Sequence, residues 1–90
     1  MVLLRPCRTT AAYEAIPERD LRLDLEALEP RFHREGWRTL ANAGVMLVMQ
    51  RGVDDVSLFQ SGKLLIKTRD SAVAERVWRD VGPLYLPAGA

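Results

Sequence analysis

Three apolar segments of strand length, separated by short turns that contain glycine, lie within residues 45–67. The run Val45–Met49 is continuous and apolar, Val56–Phe59 follows a polar turn, and Lys63–Lys67 follows Ser61-Gly62. Runs of this length bounded by turn residues are typical of antiparallel strands. A glycine in a two-residue turn supplies the positive φ that a tight hairpin requires. The pattern therefore predicts an antiparallel meander.

A helix is predicted before the meander. Asp24 can accept the free amide hydrogens of a first helical turn. The apolar side chains that recur on one face of this helix are Leu25, Leu28 and Phe32. Because Pro30 lacks a backbone N–H, it predicts either a kink or a later start of the helix at Glu29-Pro30. Gly36 is expected to end the helix in the left-handed conformation.

A second helix is predicted after the meander, with Asp70 as its cap. Its apolar stripe consists of Val73, Ala74, Val77, Trp78 and Val81. We expect this stripe to be buried against Leu58 and Ile66 of the meander, because an amphipathic helix packs its apolar side on the core. Gly82-Pro83 predicts the end of the helix.

These elements predict an α+β fold in two layers, with an antiparallel sheet of about five strands and two helices on one face. The remaining strands are expected at Val2–Leu4, Leu21–Leu23 and Trp37–Leu40, where apolar and β-forming residues are short and interrupted. The corresponding division of the chain is an N-terminal extension at 1–20, a domain at 21–82 and a tail at 83–90.

Composition and charge disfavour several classes of protein. Thirteen Lys and Arg against 12 Asp and Glu give a formal charge of +1, whereas dedicated nucleic-acid binders are usually more basic. One cysteine, Cys7, and one histidine, His33, cannot by themselves complete a tetrahedral metal site. No apolar run reaches membrane-spanning length, and the apolar start is too short for a signal peptide. We therefore expect a cytoplasmic protein without a metal or cofactor.

Candidate catalytic groups are few. Cys7 has only Arg5 and Arg8 nearby in sequence to stabilise a thiolate. His33 has Glu29 one helical turn away, but no nucleophile at an evident spacing. The acidic residues that cluster in sequence are Glu18, Asp20, Asp24, Glu26 and Glu29. Such residues usually lie on wet surfaces or near helix N-termini. The sequence thus predicts a non-enzymatic protein with no small-molecule substrate.

The segments Leu23–Leu28 (LDLEAL) and Val56–Ile66 (VSLFQSGKLLI), followed by a helix, resemble one repeat of the TATA-box-binding protein family. The resemblance covers about residues 21–81. It implies that Phe59 occupies the place of one DNA-kinking aromatic residue, while the place of the other falls near Asn42. The family has two repeats and this chain has room for one. The hairpin also resembles that of small uncharacterised archaeal and bacterial proteins, some with a Pro-Cys near the start like Pro6-Cys7.

Strand alternation predicts an uncovered face on the sheet, opposite the helices. The residues expected there as a partner-binding surface are Met46, Val48, Ser57, Phe59, Leu65 and Lys67. An exposed apolar patch favours a protein partner or a second copy of the chain. The alternative is a nucleic-acid-binding surface made of Phe59, Lys63, Lys67 and Arg69. Cover by the N-terminal segment or by the apolar tail is the remaining possibility.

Overall fold

The structure, a computed structural model, describes residues 2–86. The strands and helices in chain order are β1 (Val2–Pro6), β2 (Tyr13–Pro17), α1 (Leu25–Arg34), β3 (Arg38–Asn42), β4 (Met46–Arg51), β5 (Asp54–Phe59), β6 (Leu64–Ile66) and α2 (Ser71–Tyr85). The strands form one sheet in the order β1-β2-β6-β5-β4-β3, and every neighbouring pair is antiparallel. The α+β class and the antiparallel sheet are confirmed, but the sheet has six strands rather than about five.

The meander predicted from the apolar runs is confirmed as β4, β5 and β6. Leu47 pairs with Leu58, and Leu58 pairs with Leu64. Because alternate residues of a strand share a face, the inward residues form one layer under both helices. The fully buried side chains of that layer are Leu47, Met49, Val56, Leu58, Leu64 and Ile66. Gly62 closes the last hairpin with a φ of 96°, as the turn chemistry predicts.

The helix α1 begins as predicted, with the side chain of Asp24 accepting a hydrogen bond from Ala27 N at 3.2 Å. Pro30 lies inside the helix without ending it, and Gly36 follows with a φ of 90°. Phe32 is completely buried in the core. Burial of Leu25 and Phe32 on the sheet, roughly 1.5–3 kcal/mol each, offsets the cost of about 3 kcal/mol of a proline inside a helix.

The predicted end of α2 is wrong. Asp70 caps this helix as expected, but the helix continues through Gly82 and Pro83 to Tyr85. Tyr85 is buried, and its hydroxyl donates a hydrogen bond to the Gly62 carbonyl oxygen at 2.9 Å. Burial raises the pKa of the Tyr85 hydroxyl. This anchor to the β5–β6 turn outweighs the local preference of proline against the helix interior.

The prediction for the N-terminal third is correct for one strand and wrong for the other: the strand expected at Val2–Leu4 is the outer strand β1, whereas the strand expected at Leu21–Leu23 is absent. Residues 21–23 are not a strand, although Leu21 N and Leu23 N donate single hydrogen bonds to the carbonyl groups of Ser61 and Gln60. The edge beside β6 is instead occupied by β2, which pairs Tyr13 with Ile66. β1 then pairs with β2, so the residues expected as an extension contribute two strands to the sheet.

The core under α2 is largely as expected. Leu58, Ile66 and Val77 are buried together, whereas Trp78 is only half-buried and packs at the margin of the core. Its ring lies edge-on to that of Tyr85, with centroids 6.1 Å apart. Within residues 2–86, neither helix has the length and apolar character needed to cross a membrane.

Candidate interaction surface on the open sheet face

The sheet face opposite the two helices, here named the open face, carries the residues that alternate with the core. Met46 pairs with Phe59 and Val48 pairs with Ser57, which pairs in turn with Leu65. The register therefore brings these five predicted residues together in adjacent rows. The sixth, Lys67, continues β6, because its amide donates to the Asp55 carbonyl oxygen at 3.0 Å.

No described part of the chain crosses the open face. The N-terminal strands lie beside β6 in the plane of the sheet, and Leu84, Tyr85 and Leu86 pack on the helix side. Residues 87–90 of the predicted tail lie outside the described residues. The apolar side chains of the face are half-buried by their neighbours. Ser57 is 5% exposed because it lies between Leu65 and Val48.

A carboxylate that the sequence analysis missed lies at the β2 side of this face. Glu14 pairs with Leu65 and is 9% exposed. Its Oε1 accepts a hydrogen bond from Arg5 Nε at 2.9 Å, and its Oε2 lies 3.6 Å from Lys63 Nζ. Two cations on one sheltered carboxylate offset the cost of removing it from water. In the sequence, Glu14 is visible only as a polar residue between Tyr13 and Ala15. That pattern predicts a place on the open face only once β2 is known to pair with β6.

The cations predicted to meet nucleic acid do not form one free basic patch. Lys63 lies over the Phe59 ring, 5.2 Å from its centroid, and is also an ion-pair partner of Glu14. Lys67 is exposed at the next row of the same face. Arg69 lies elsewhere, lining a groove with the β1–β2 loop, which contains Cys7.

A third, polar row crosses the open face beside the apolar rows. Arg38 Nη2 donates to Gln50 Oε1 at 2.6 Å, and Gln50 pairs with Asp55. Lys67 lies on the other side of Asp55. Among the described residues, Asp55 Oδ1 is buried and has no hydrogen-bond partner. A buried carboxylate oxygen without a donor is costly.

Cys7 lies in the loop between β1 and β2. Its Sγ is 3.5 Å from Thr9 Oγ1. Hydrogen bonds from the side chains of Thr10 and Thr9 lower the pKa of the Cys7 thiol to about 7. The groove around it also contains Arg8 and Arg69. The loop thus makes Cys7 more reactive than an ordinary surface thiol.

His33 and Glu29 are brought together with two residues of β3. Thr39 Oγ1 donates to Glu29 Oε2 at 2.6 Å, and Asn42 Nδ2 donates to Glu29 Oε1 at 2.5 Å. A bulge between Thr39 and Ala41 turns both donors to the helix side of the sheet. These bonds lower the pKa of the Glu29 carboxyl, Thr39 contributing most.

This cluster is a structural connection rather than a nucleophilic relay. The single hydroxyl hydrogen of Thr39 is donated to Glu29, so Thr39 Oγ1 accepts from His33 Nε2 at 2.8 Å. The same nitrogen of His33 lies 3.6 Å from Glu29. A catalytic triad needs the carboxylate and the nucleophile on opposite ring nitrogens. Asn42, near which the resemblance placed the other DNA-kinking aromatic residue, faces α1, because its Nδ2 donates to Glu29.

The other acidic residues predicted as a cluster have separate positions. Asp24 caps α1, and Glu18, Asp20 and Glu26 are exposed. Within residues 2–86, no three His, Cys, Asp or Glu side chains are grouped closely enough to hold a metal ion. Comparisons with protein-family models, curated sequences and solved structures give no significant match. The resemblance to the TATA-box-binding protein repeat therefore remains a prediction.

Proposed function

We propose that this protein is a non-enzymatic interaction module whose open face is buried by another polypeptide. The observation that carries the proposal is the contiguous apolar group formed by Met46, Val48, Phe59 and Leu65 on a sheet face that no described segment covers. One uncovered face of an antiparallel sheet normally carries polar residues. An apolar one is a marker of an interaction site.

Contact with water is costly for these four apolar side chains. Each is half-buried by its neighbours, and complete burial of such a side chain contributes roughly 1.5–3 kcal/mol relative to full exposure. Covering the four remaining exposed parts together would contribute a few kcal/mol. That is enough to support association when the polar rim is matched.

The edges of the sheet are less suited to recognition than its face. The outer strand β1 ends at Pro6, which has no N–H to donate. The other outer strand, β3, contains the bulge at 39–41. Proline and bulges both disfavour the addition of a further strand. We therefore assign the interaction to the face.

The test is the double change Phe59→Ser with Leu65→Thr. We expect circular dichroism to show nearly unchanged secondary structure, because both residues point away from the core. Sedimentation velocity of the labelled protein, alone and in cell extract, should show a complex for the wild type and a monomer for the variant. The matched control is Val53→Ser with Val45→Thr. These valines are 96% and 62% exposed and lie outside the open face, so the control should behave as the wild type.

Two outcomes would contradict the proposal. The first is a wild-type protein that sediments as a monomer both alone and in extract. The second is nucleic-acid binding that the double change abolishes and that weakens steeply as salt rises, because counterions are released when phosphates are contacted. Fluorescence anisotropy with single-stranded and duplex oligonucleotides at low and high salt would detect the second. That result would favour nucleic-acid binding as the function of the open face.

A further inference from the structure

We infer that the occupant of the open face is a second copy of the same chain, with the two open faces stacked on each other. The two-fold axis that relates the copies lies between the stacked sheets and runs parallel to the strands, midway between β5 and β6. This inference rests on the proposed function and adds the partner and its register. It comes from the order of side chains across the face. Two-fold stacking places each residue opposite a specific residue of the other copy, so the order can be tested for complementarity.

The position of the axis follows from area. Six strands about 4.8 Å apart and about five residues long present a face of roughly 450 Å², projected on a plane. Two such faces provide roughly 900 Å², somewhat more once the relief of the side chains is counted. A specific interface buries about 1,200–2,000 Å² in total. Even the two whole faces lie at or below the low end of this range, so a partial overlap would bury too little, and the axis has to pass through the centre of the face. In the order β1-β2-β6-β5-β4-β3, that centre lies between β6 and β5.

Rotation about an axis parallel to the strands places the residues of β1, β2 and β6 in each row opposite the residues of β3, β4 and β5 of the same row in the second copy. In the polar row, Lys67 of β6 then lies opposite the second copy's Asp55 on β5, and Asp55 lies opposite the second copy's Lys67. This brings a cation to the exposed part of Asp55, which is half-buried in its own chain; Oδ1 itself is covered by its own chain and takes no part in this contact. Lys67 is exposed and adjacent in the register, so its ammonium group is available.

The same axis matches large side chains with small ones in the middle row. The row runs Arg5, Glu14, Leu65, Ser57, Val48 and Ala41. Exchange of its halves places Leu65 opposite the second copy's Ser57, Arg5 opposite its Ala41, and Glu14, which keeps its two cations within its own chain, opposite its Val48. In the remaining row, which contains Lys63, Phe59 and Met46, Lys63 lies opposite the second copy's Phe59, a favourable cation–π partner. Long side chains thus meet short or flat ones, as close packing of two sheets requires.

The other two-fold arrangement, with the axis perpendicular to the strands, is disfavoured by the same rows. It would place Glu14 opposite the second copy's Glu14 and Leu65 opposite Leu65. It would also bring Lys63 opposite Lys67, and Phe59 opposite Asp55. Like charges across an interface cost several kcal/mol. Two leucines that meet at one point also hold the sheets apart there, so that the serines beside them make no contact. Charge and size therefore select the parallel axis.

The experiment uses charge reversal in purified full-length protein. In a homodimer, Lys67→Asp places two carboxylates opposite each other at both symmetry-related contacts, and Asp55→Lys places two ammonium groups there. Each variant alone should raise the dimer dissociation constant about tenfold or more. An equimolar mixture of the two variants restores opposite-charge contacts only in the heterodimer. We expect the mixture to dimerise with a dissociation constant close to that of the wild type, measured by sedimentation equilibrium.

The matched control is the exposed pair Arg79 and Glu75 on α2, whose charged atoms are 3.7 Å apart. Arg79→Glu and Glu75→Lys change the net charge in the same way but lie on the helix side, so they should leave the dissociation constant unchanged. Circular dichroism checks that every variant is folded. If the charge of Lys67 acted only on Asp55 of its own chain, the mixture would dimerise no better than the single variants.

The possible outcomes separate this inference from the proposed function. The register is overturned if the single charge variants dimerise like the wild type, or if the mixture fails to recover dimerisation. The proposed function still stands in that case if Phe59→Ser with Leu65→Thr abolishes the dimer. A wild type that is monomeric when pure but forms a complex in extract overturns self-association alone. A wild type that is monomeric in both overturns both.

Discussion

Among the described glycines, Gly62 is the one at which an added methyl group should lower the free energy of unfolding most. Its φ is 96°, and a Cβ built there would lie 2.9 Å from Leu21 Cδ1, 3.1 Å from Leu21 Cγ and 3.2 Å from Pro17 Cγ. The left-handed conformation costs a non-glycine residue about 1–2 kcal/mol. Overpacking of a closed site adds about 1–3 kcal/mol. We therefore expect Gly62→Ala to lower the free energy of unfolding by about 2–5 kcal/mol.

The matched control is Gly44→Ala. Gly44 has a φ of 83°, but nothing lies within 4 Å of a Cβ built there. This variant should show only the conformational cost, about 1–2 kcal/mol. Urea unfolding followed by tryptophan fluorescence, at one protein concentration because association would add its own stabilisation, measures both. The difference between the two variants isolates the contacts with Leu21 and Pro17.

A third variant tests the cause directly. Leu21→Ala removes the nearer obstacle, so Gly62→Ala should cost less in the Leu21→Ala background, with a coupling of at least about 0.5 kcal/mol. If Gly62→Ala and Gly44→Ala destabilise equally and the coupling is zero, the close approach of residues 17 and 21 to the turn does not limit this site.

Three further predictions follow from single groups. Glu29→Gln should lower the free energy of unfolding by about 1 kcal/mol at neutral pH. Since the folded-state pKa of Glu29 is lowered from its ordinary value of 4.5, its contribution is present above that value and should disappear in acid titrations as pH falls through the folded pKa. Alkylation of Cys7 should reach half its maximal rate near pH 7, and Thr10→Val should move that midpoint upward; an unmoved midpoint would contradict the role of Thr10. Trp78→Ala should cost about 2–3 kcal/mol in urea unfolding, less than the roughly 3–5 of a fully buried tryptophan, and a cost of about 5 kcal/mol would show that its half-buried position understates its packing.

Local chemistry in the sequence was sufficient for the meander, both helix caps and the Gly62 turn. Each depends on residues within a few positions of one another. Asp24 and Asp70 each accept an amide hydrogen within the first turn of their helices. Alternation along β5 and β6 needs only the period of the strand. The same alternation placed Phe59 and Leu65 opposite the core, and the register then made them neighbours in adjacent rows.

Contacts between distant residues account for the rest. Tyr13–Pro17 lacks a clear period, and it becomes a strand because β6 offers an unpaired edge. That pairing then places Glu14 between Arg5 and Lys63, which are distant from each other along the chain. The helix α2 passes Pro83 because Tyr85 reaches Gly62. In each case a local preference of about 1–3 kcal/mol is outweighed by burial or pairing that exists only after the chain has folded. Short-range patterns thus specify the alternating strands and the capped helices, whereas long-range pairing selects the strand that completes the sheet and the charges that lie on its open face.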